Sequence, residues 1–297
     1  MINSLDSLME NVINKDKRRI AIAAAEDAEI LEAVQEANKL NLAEFILIGD
    51  RDKIEKLANE NNIGLNSEII NEPEHKKAAE KAVECVRNGK ANAIMKGLLH
   101  TSTFLKAVLN KEKGLNTGKL ISQVSVFNKE YGEGLQLLTD CAIAIEPSID
   151  DKKQIIENAI ELAIKLGYEK PKVALLSALE VVNPAIEDTV EAAILSKMGD
   201  RGQIKGGIID GPFALDNAIS PEAAKLKGIS GEVAGNADIL VVPNLQVGNV
   251  LTKSLTFYAH KDVAAAIMGA EVPIIMTSRS DFMRNKLLSI VLASYIS

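Results

Sequence analysis

Short apolar runs that stop at a polar or glycine residue recur along this chain, and most are followed by a segment with apolar positions three or four residues apart. Residues 19–25, 44–49, 91–97, 172–177, 206–212, 237–243 and 272–277 are runs of this kind. They are short, mostly aliphatic and rich in β-branched residues, as buried strands are. Ile69-Ile70 is a weaker one. Between them, residues 27–40, 51–62, 75–88, 151–166, 185–198 and 250–268 carry helical periodicity, and residues 1–17 place Leu5, Leu8, Met9, Val12 and Ile13 on one helical face. Strand alternating with helix predicts an α/β fold with helix-covered, mainly parallel sheets. Aromatic residues make up 3% of the chain and Trp is absent, so the core must be aliphatic. That suits such a sheet better than a sandwich.

The texture changes near residue 119. Residues 119–127 and 135–140 flank a turn containing Gly132 and Gly134, an antiparallel hairpin signal. This change sets the expected boundary. One domain is expected over residues 1–118 with 268–297 and a second over 119–267, with the active-site cleft between them.

Several strands end in chemistry-bearing residues: Lys96-Gly97, Asp210-Gly211-Pro212, Pro243-Asn244 and Ser278-Arg279. Carboxyl ends of parallel strands are where ligands bind in open α/β sheets, and free N–H groups at helix starts suit anions. If these ends converge, Lys96, Arg279, Asp210, Thr277 and Ser278 line one cleft. The competing reading is that each is a turn or cap residue, with Ser280 capping the last helix.

The chain carries a formal net charge of −7 and no clustered basic patch, so nucleic acid is not expected as a partner. GxGxxG is missing after the first strand, where residues 23–28 read Ala-Ala-Ala-Glu-Asp-Ala, and GxxxxGK[ST] and GxSxG are missing too. His75, His100 and His260 have no ligand spacing, so no metal is expected; His75 reads as solvated, and His100 lies on the cleft rim. Cys85 and Cys141 form no CxxC pair. No apolar run reaches membrane-spanning length and no signal-peptide core is seen, so a cytoplasmic protein without membrane contact is expected.

Four blocks now fit together: 95–101 (Met-Lys-Gly-Leu-Leu-His-Thr), 195–203 with 210–218, 237–249 (Ala-Asp-Ile-Leu-Val-Val-Pro-Asn-Leu-Gln-Val-Gly-Asn), and Ser278-Arg279. In combination and order they resemble the phosphate acetyl/butyryltransferase family, nearer its butyryl branch, over about residues 90–297. The resemblance implies reversible transfer of an acyl group between CoA and inorganic phosphate. It implies a two-domain fold like that of isocitrate and isopropylmalate dehydrogenases, and a homodimer or higher homo-oligomer. Acyl-CoA, phosphate and acyl phosphate would be substrates, with no tightly bound cofactor. By the same resemblance Ser278 and Arg279 would be catalytic, Lys96, His100, Thr101 and Lys106 would line the site near CoA or phosphate, and Asn244, Gln246 and Asn249 would sit at its rim.

One position departs from the pattern. The acetyl branch has an aspartate, its presumed base, seven residues after the serine, and this chain has Asn285 there. Asp281, three residues after Ser278, is the nearest carboxylate. Either Asp281 substitutes, or a group such as His100 does, or no side-chain base is needed. Acetyl transfer, and a non-catalytic acyl-CoA-binding protein, stand as the alternatives; a decarboxylating 2-hydroxy-acid dehydrogenase would need acidic metal ligands and a nicotinamide site, and neither pattern is evident.

Overall fold

The computed structural model describes residues 1–297. Along the chain run α1 (Leu5–Ile13), β1 (Arg19–Ala23), α2 (Ala28–Lys39), β2 (Glu44–Gly49), α3 (Arg51–Glu60), β3 (Glu68–Asn71), α4 (His75–Arg87), β4 (Ala93–Lys96) and α5 (Thr101–Val108). Then come β5 (Ser122–Asn128), β6 (Leu135–Thr139), α6 (Ile149–Lys165), β7 (Lys172–Leu176), α7 (Glu187–Asp200), β8 (Ile208–Phe213), α8 (Leu215–Ile219) and α9 (Pro221–Leu226). β9 (Ile239–Val241), α10 (Leu245–Phe257), β10 (Ala264–Met268), β11 (Ile274–Ile275) and α11 (Met283–Ile296) complete it. No helix is long and apolar enough to cross a membrane.

The chain divides into two compact units: a first, Asp6–Lys119 with Ala264–Ser297, and a second, Met1–Leu5 with Leu120–Val263. Met1–Leu5 joins the second because Ile2 N donates to Leu166 O at 2.9 Å and Leu5 N to Asn128 Oδ1 at 2.9 Å.

In the first unit the strands lie in the order β3-β2-β1-β4-β11-β10. All pair in parallel except β10, which runs antiparallel to β11 through Ile267 and Ile274. The chain builds outward from β1 through β2 to β3, then returns by α4 to place β4 on the other side of β1. The direction of growth therefore reverses between β1 and β4, which makes a switch point. α11 is buried on every side from Asn285 to Ser294, and its Lys286 is paired with Glu29. Each of its buried Leu and Ile side chains contributes roughly 1.5–3 kcal/mol of burial.

In the second unit the order is β5-β6-β9-β7-β8. β5 and β6 form the antiparallel hairpin, and β6, β9, β7 and β8 are parallel. Phe127, Leu138, Ala174, Phe213, Leu240 and Val242 belong to its buried aliphatic and aromatic core.

Two sequence expectations are corrected here. Residues 250–268 are not one helical region: α10 stops at Phe257, and residues 264–268 are strand β10. The Ala-rich run has high helix propensity. Pairing with β11, and a hydrogen bond from Ala265 N to Ser289 Oγ of α11 at 3.0 Å, decide otherwise. Residues 244–249 are not a loop, because α10 begins at Leu245. Three short helices, α5, α8 and α9, carry too few turns to show a helical period in the sequence.

Candidate active site

In the first unit β4 lies between β1 and β11. Ala23 sits beside Lys96, and Ile274 and Ile275 sit beside Ile94 and Met95, all in parallel. Their carboxyl ends share one edge of the sheet. The loops leaving β1 and β4 are tied together there: Gly97 N donates to Ala23 O at 2.8 Å and Leu98 N to Ala24 O at 2.6 Å. A Cβ on residue 97 would lie 2.0 Å from Ala24 O, so only glycine permits this approach.

Lys96 closes β4, half-buried. Its Nζ donates to Gly97 O at 3.1 Å and Leu99 O at 3.2 Å, leaving one of its three N–H groups for a ligand. Its pKa is lowered, first by burial and then by the positive charge of Arg279, with Asp27 opposing. Lys96 and Arg279 therefore share one electrostatic neighbourhood. The Arg279 guanidinium is exposed and has no hydrogen-bonded or ionic partner within the chain.

Residues 278–281 form a turn between β11 and α11. Ser278 N donates to Asp281 Oδ2 at 2.7 Å, and Asp281 N donates to Ser278 O at 3.1 Å. The Ser278 and Ser280 hydroxyls lie 3.0 Å apart, and Ser280 N donates to Ser278 Oγ at 3.3 Å. Ser280 is not the helix cap. The capping position of α11 is Phe282, whose side chain makes no capping bond.

His100 occupies the capping position of α5 without a side-chain capping bond, and Thr101 is the first helical residue; both are exposed at the end of the β4 loop. The α5 N-terminus thus presents unpaired N–H groups on the same edge as Lys96. Lys106 is set apart, about 140° around the helix from Thr101. Asn285 lies inside α11, 6% exposed. The position that is acidic in the acetyl branch is here a buried neutral amide.

The remaining expected residues lie on the second unit. Asp210 is the third residue of β8 and does not end the strand; its Oδ1 accepts from Gly211 N at 2.8 Å. Asn244 caps α10, accepting from Val247 N at 3.1 Å. Gln246 and Asn249 are exposed in the first turns of that helix. β8 and β9 are separated by β7, so Asp210 and Asn244 do not lie on adjacent strands.

Two features went unread in the sequence. His75 is not simply solvated: its Nε2 lies 3.0 Å from Oε1 of Glu26, whose side chain is only 3% exposed. Asp27, beside it, caps α2 through Ile30 N and holds a negative charge near Lys96. Both acids follow β1, where their only signal was a carboxylate pair at a strand end.

Residues 4–84 and 64–294 match the family described as phosphate acetyl/butaryl transferase. The chain belongs to that family. It is 47% identical to the phosphate butyryltransferase of Clostridium acetobutylicum over 298 residues, covering 100% of this chain and 99% of that protein. It is 42% identical to the phosphate acetyltransferase of Thermotoga maritima over 291 residues, 98% of each. Among solved structures, the branched-chain phosphotransacylase of Enterococcus faecalis V583 superposes with a TM-score of 0.82 at 36% identity, covering 94% of this chain and 98% of that one. That solved structure shares the α/β architecture of this chain, a mostly parallel sheet covered by helices.

Proposed function

We propose that this member of the family is an acyltransferase that moves an acyl group, preferentially butyryl, reversibly between CoA and inorganic phosphate. The observation that supports the reading is the electrostatic neighbourhood shared by two cations with free donors, Lys96 at the end of β4 beside the switch point and Arg279 in the turn that starts at Ser278.

In the direction of thioester formation, a CoA thiolate attacks the carbonyl carbon of an acyl phosphate. The carbonyl oxygen takes up negative charge, the tetrahedral adduct collapses, and phosphate leaves with the electrons of the C–O bond. In reverse, a phosphate oxygen attacks the thioester and the thiolate leaves. Arg279 supplies a permanently charged planar fork suited to phosphate. Ser278 donates to the developing oxyanion. Lys96 and Arg279 together favour the thiolate, because nearby cations lower a thiol pKa from its usual value near ~8.5. This route needs no side-chain base, which suits a chain with Asn285 where the acetyl branch has an acid. His100, Thr101 and the α5 N-terminus are assigned to CoA or phosphate groups, with Lys106 as an outer cation. CoA, acyl-CoA, phosphate and acyl phosphate are the small-molecule substrates, and they favour a cytoplasmic location.

We assign the two units to the two domains of an isocitrate/isopropylmalate dehydrogenase-like fold, on the support of their two mainly parallel, helix-covered sheets. We also assign a homodimer. On α10 and at its C-cap, Val247, Val250, Phe257 and Tyr258 are 41%, 65%, 43% and 88% exposed, an apolar face that a second copy would cover. Light scattering of the purified chain should give twice its 32.0 kDa mass.

Thiol release from butyryl-CoA, followed with a thiol-reactive dye with and without phosphate, tests the activity. Phosphate-dependent release faster than from acetyl-CoA is the expected result. Faster release from acetyl-CoA would move the preference to the acetyl branch, and one methylene is worth only ~1–3 kcal/mol in a pocket. Binding of acyl-CoA without any release would make the chain a binding protein.

A further inference from the structure

We infer that Asp281 is a positioning residue for Arg279 and not the base of the reaction, an inference that rests on the acyltransferase reading above. Every hydrogen bond in the turn converges on Ser278. Its carbonyl accepts from Asp281 N at 3.1 Å, its amide donates to Asp281 Oδ2 at 2.7 Å, and its hydroxyl is engaged by Ser280. Asp281 thus closes the turn twice, once through its backbone and once through its side chain. Arg279 is the residue inside that clasp, and it has no protein partner of its own to fix its direction. The path of the backbone is what aims its guanidinium.

The alternative roles for Asp281 fit the geometry less well. A base must turn a lone pair toward the thiol, whereas one oxygen of this carboxylate is committed to an amide that never releases its proton. A helix-stabilising charge would face forward into the first turn of α11. This carboxylate reaches backward, to a residue that precedes the helix. The Ser278 amide and the Asp281 carboxylate form a charge-assisted bond on an exposed segment, where little else restrains the chain.

The chemistry separates positioning from proton transfer in one substitution. Asn has an oxygen acceptor in the place of Oδ2 and cannot accept the thiol proton as a carboxylate would. Asp281→Asn therefore keeps the clasp and removes the base, while Asp281→Ala removes both. Phosphate-dependent thiol release is measured for wild type, D281N, D281A, R279A and D281A/R279A, with kcat, KM and the pH profile of each. Melting temperatures are recorded alongside.

On the positioning reading D281A loses about a hundredfold in kcat, the scale of an ångström-sized misplacement. D281N stays within about threefold, since a neutral acceptor holds the amide less tightly than a carboxylate. D281A/R279A is no worse than R279A, because Asp281 acts only through that side chain. The acidic limb of the pH profile lies in the same place for wild type and D281N. The inference is overturned if D281N is as poor as D281A and loses that limb, which would make Asp281 the base. It is equally overturned if D281A keeps full activity, or if the two losses add in the double variant. Calorimetric titration of inorganic phosphate onto the same proteins is a readout without turnover: D281A should bind more weakly, and D281N as wild type does. Failure of the acyltransferase reading shows separately, as a wild-type protein that binds phosphate yet releases no thiol, and the phosphate titration then still decides the role of Asp281.

Discussion

The two units are built alike, each a helix-covered, mainly parallel sheet with polar residues near the carboxyl ends of its strands, yet those residues are used differently. In the second unit they are already engaged. Asp210 accepts its neighbour's amide, Asn244 caps α10, and Asp140, 3% exposed, accepts from the amides of Gln123, Ala142, Ile143 and Ala144. In the first unit Arg279 has no partner and Lys96 keeps a donor in hand. A polar strand end is therefore not a functional signal by itself. For the charged side chains, what distinguishes Lys96 and Arg279 from the engaged turn residues is hydrogen-bonding capacity that the fold leaves unsatisfied.

The largest expected effect breaks this comparison most directly. Arg279→Ala should lower kcat/KM by about 10²–10³-fold, the loss seen when one transition-state donor is removed. Its melting temperature should stay close to that of the wild type, because the side chain holds nothing in place. Asn244→Ala should show the mirror image. A lost helix cap costs about 0.5–2 kcal/mol of stability, and Asn244→Ser should restore it together with full activity. If N244S folds well and still has a raised KM for acyl-CoA, Asn244 is a rim ligand after all and the contrast between the units weakens.

Lys96 sharpens the same contrast through pH. Folding holds its pKa below the ordinary lysine value, with burial the main cause and Arg279 the second. The unfolded chain therefore binds the proton better than the folded one. The resulting destabilisation is fully present below the folded pKa and fades as pH rises into the ordinary lysine range. Lys96→Met should thus melt at or above the wild-type temperature at neutral pH, while losing phosphate-dependent activity. A K96M protein that is less stable at neutral pH would mean that the bonds to Gly97 O and Leu99 O outweigh burial, making Lys96 a structural residue like Asn244.

The sequence was informative where structure is local. β2 falls at Glu44–Gly49, the hairpin at β5 and β6, and Lys96 at the end of β4, because short-range pattern carries that information. It misled where a partner far along the chain decides. β10 pairs with β11 through Ile267 and Ile274, and nothing in the Ala-rich run itself announces that pairing. The Glu26–His75 contact joins residues 49 apart and leaves no local mark. Asn244 is a rim residue by the family resemblance and Gly248 lies in the same 237–249 block, and the fold gives both of them a local task as well.

Gly248 shows how such a task can be weighed. It is buried in α10, where replacing glycine by alanine ordinarily gains ~1 kcal/mol of helix stability. Here the added Cβ would lie 2.3 Å from the carbonyl oxygen of Asp140. Backbone has to move to relieve that contact, and overpacking of this kind typically costs ~1–3 kcal/mol. The clash should win, so Gly248→Ala lowers the midpoint of denaturation. A stabilised G248A would show that the Asp140 loop yields easily, and that the second unit is less firmly built than its hydrogen bonds suggest.

The smallest effect uses the cysteines, which fall one in each unit, Cys85 on α4 of the first and Cys141 in the core of the second. Burial pushes the Cys85 thiol up and pushes the Cys141 thiol to about 12. At pH 8 the latter is thiolate in only about one molecule in ten thousand, and the thiolate is the reactive form. Both should be silent to a thiol-reactive dye in the native protein, so the activity assay has little background. Each should become reactive only as its own unit opens. Comparing C85S with C141S across a denaturant series therefore gives a separate unfolding curve for each unit. Coincident curves would show the two sheets unfolding as one cooperative structure. A Cys85 that reacts first would show that the unit carrying the unpaired cations is also the less stable of the two.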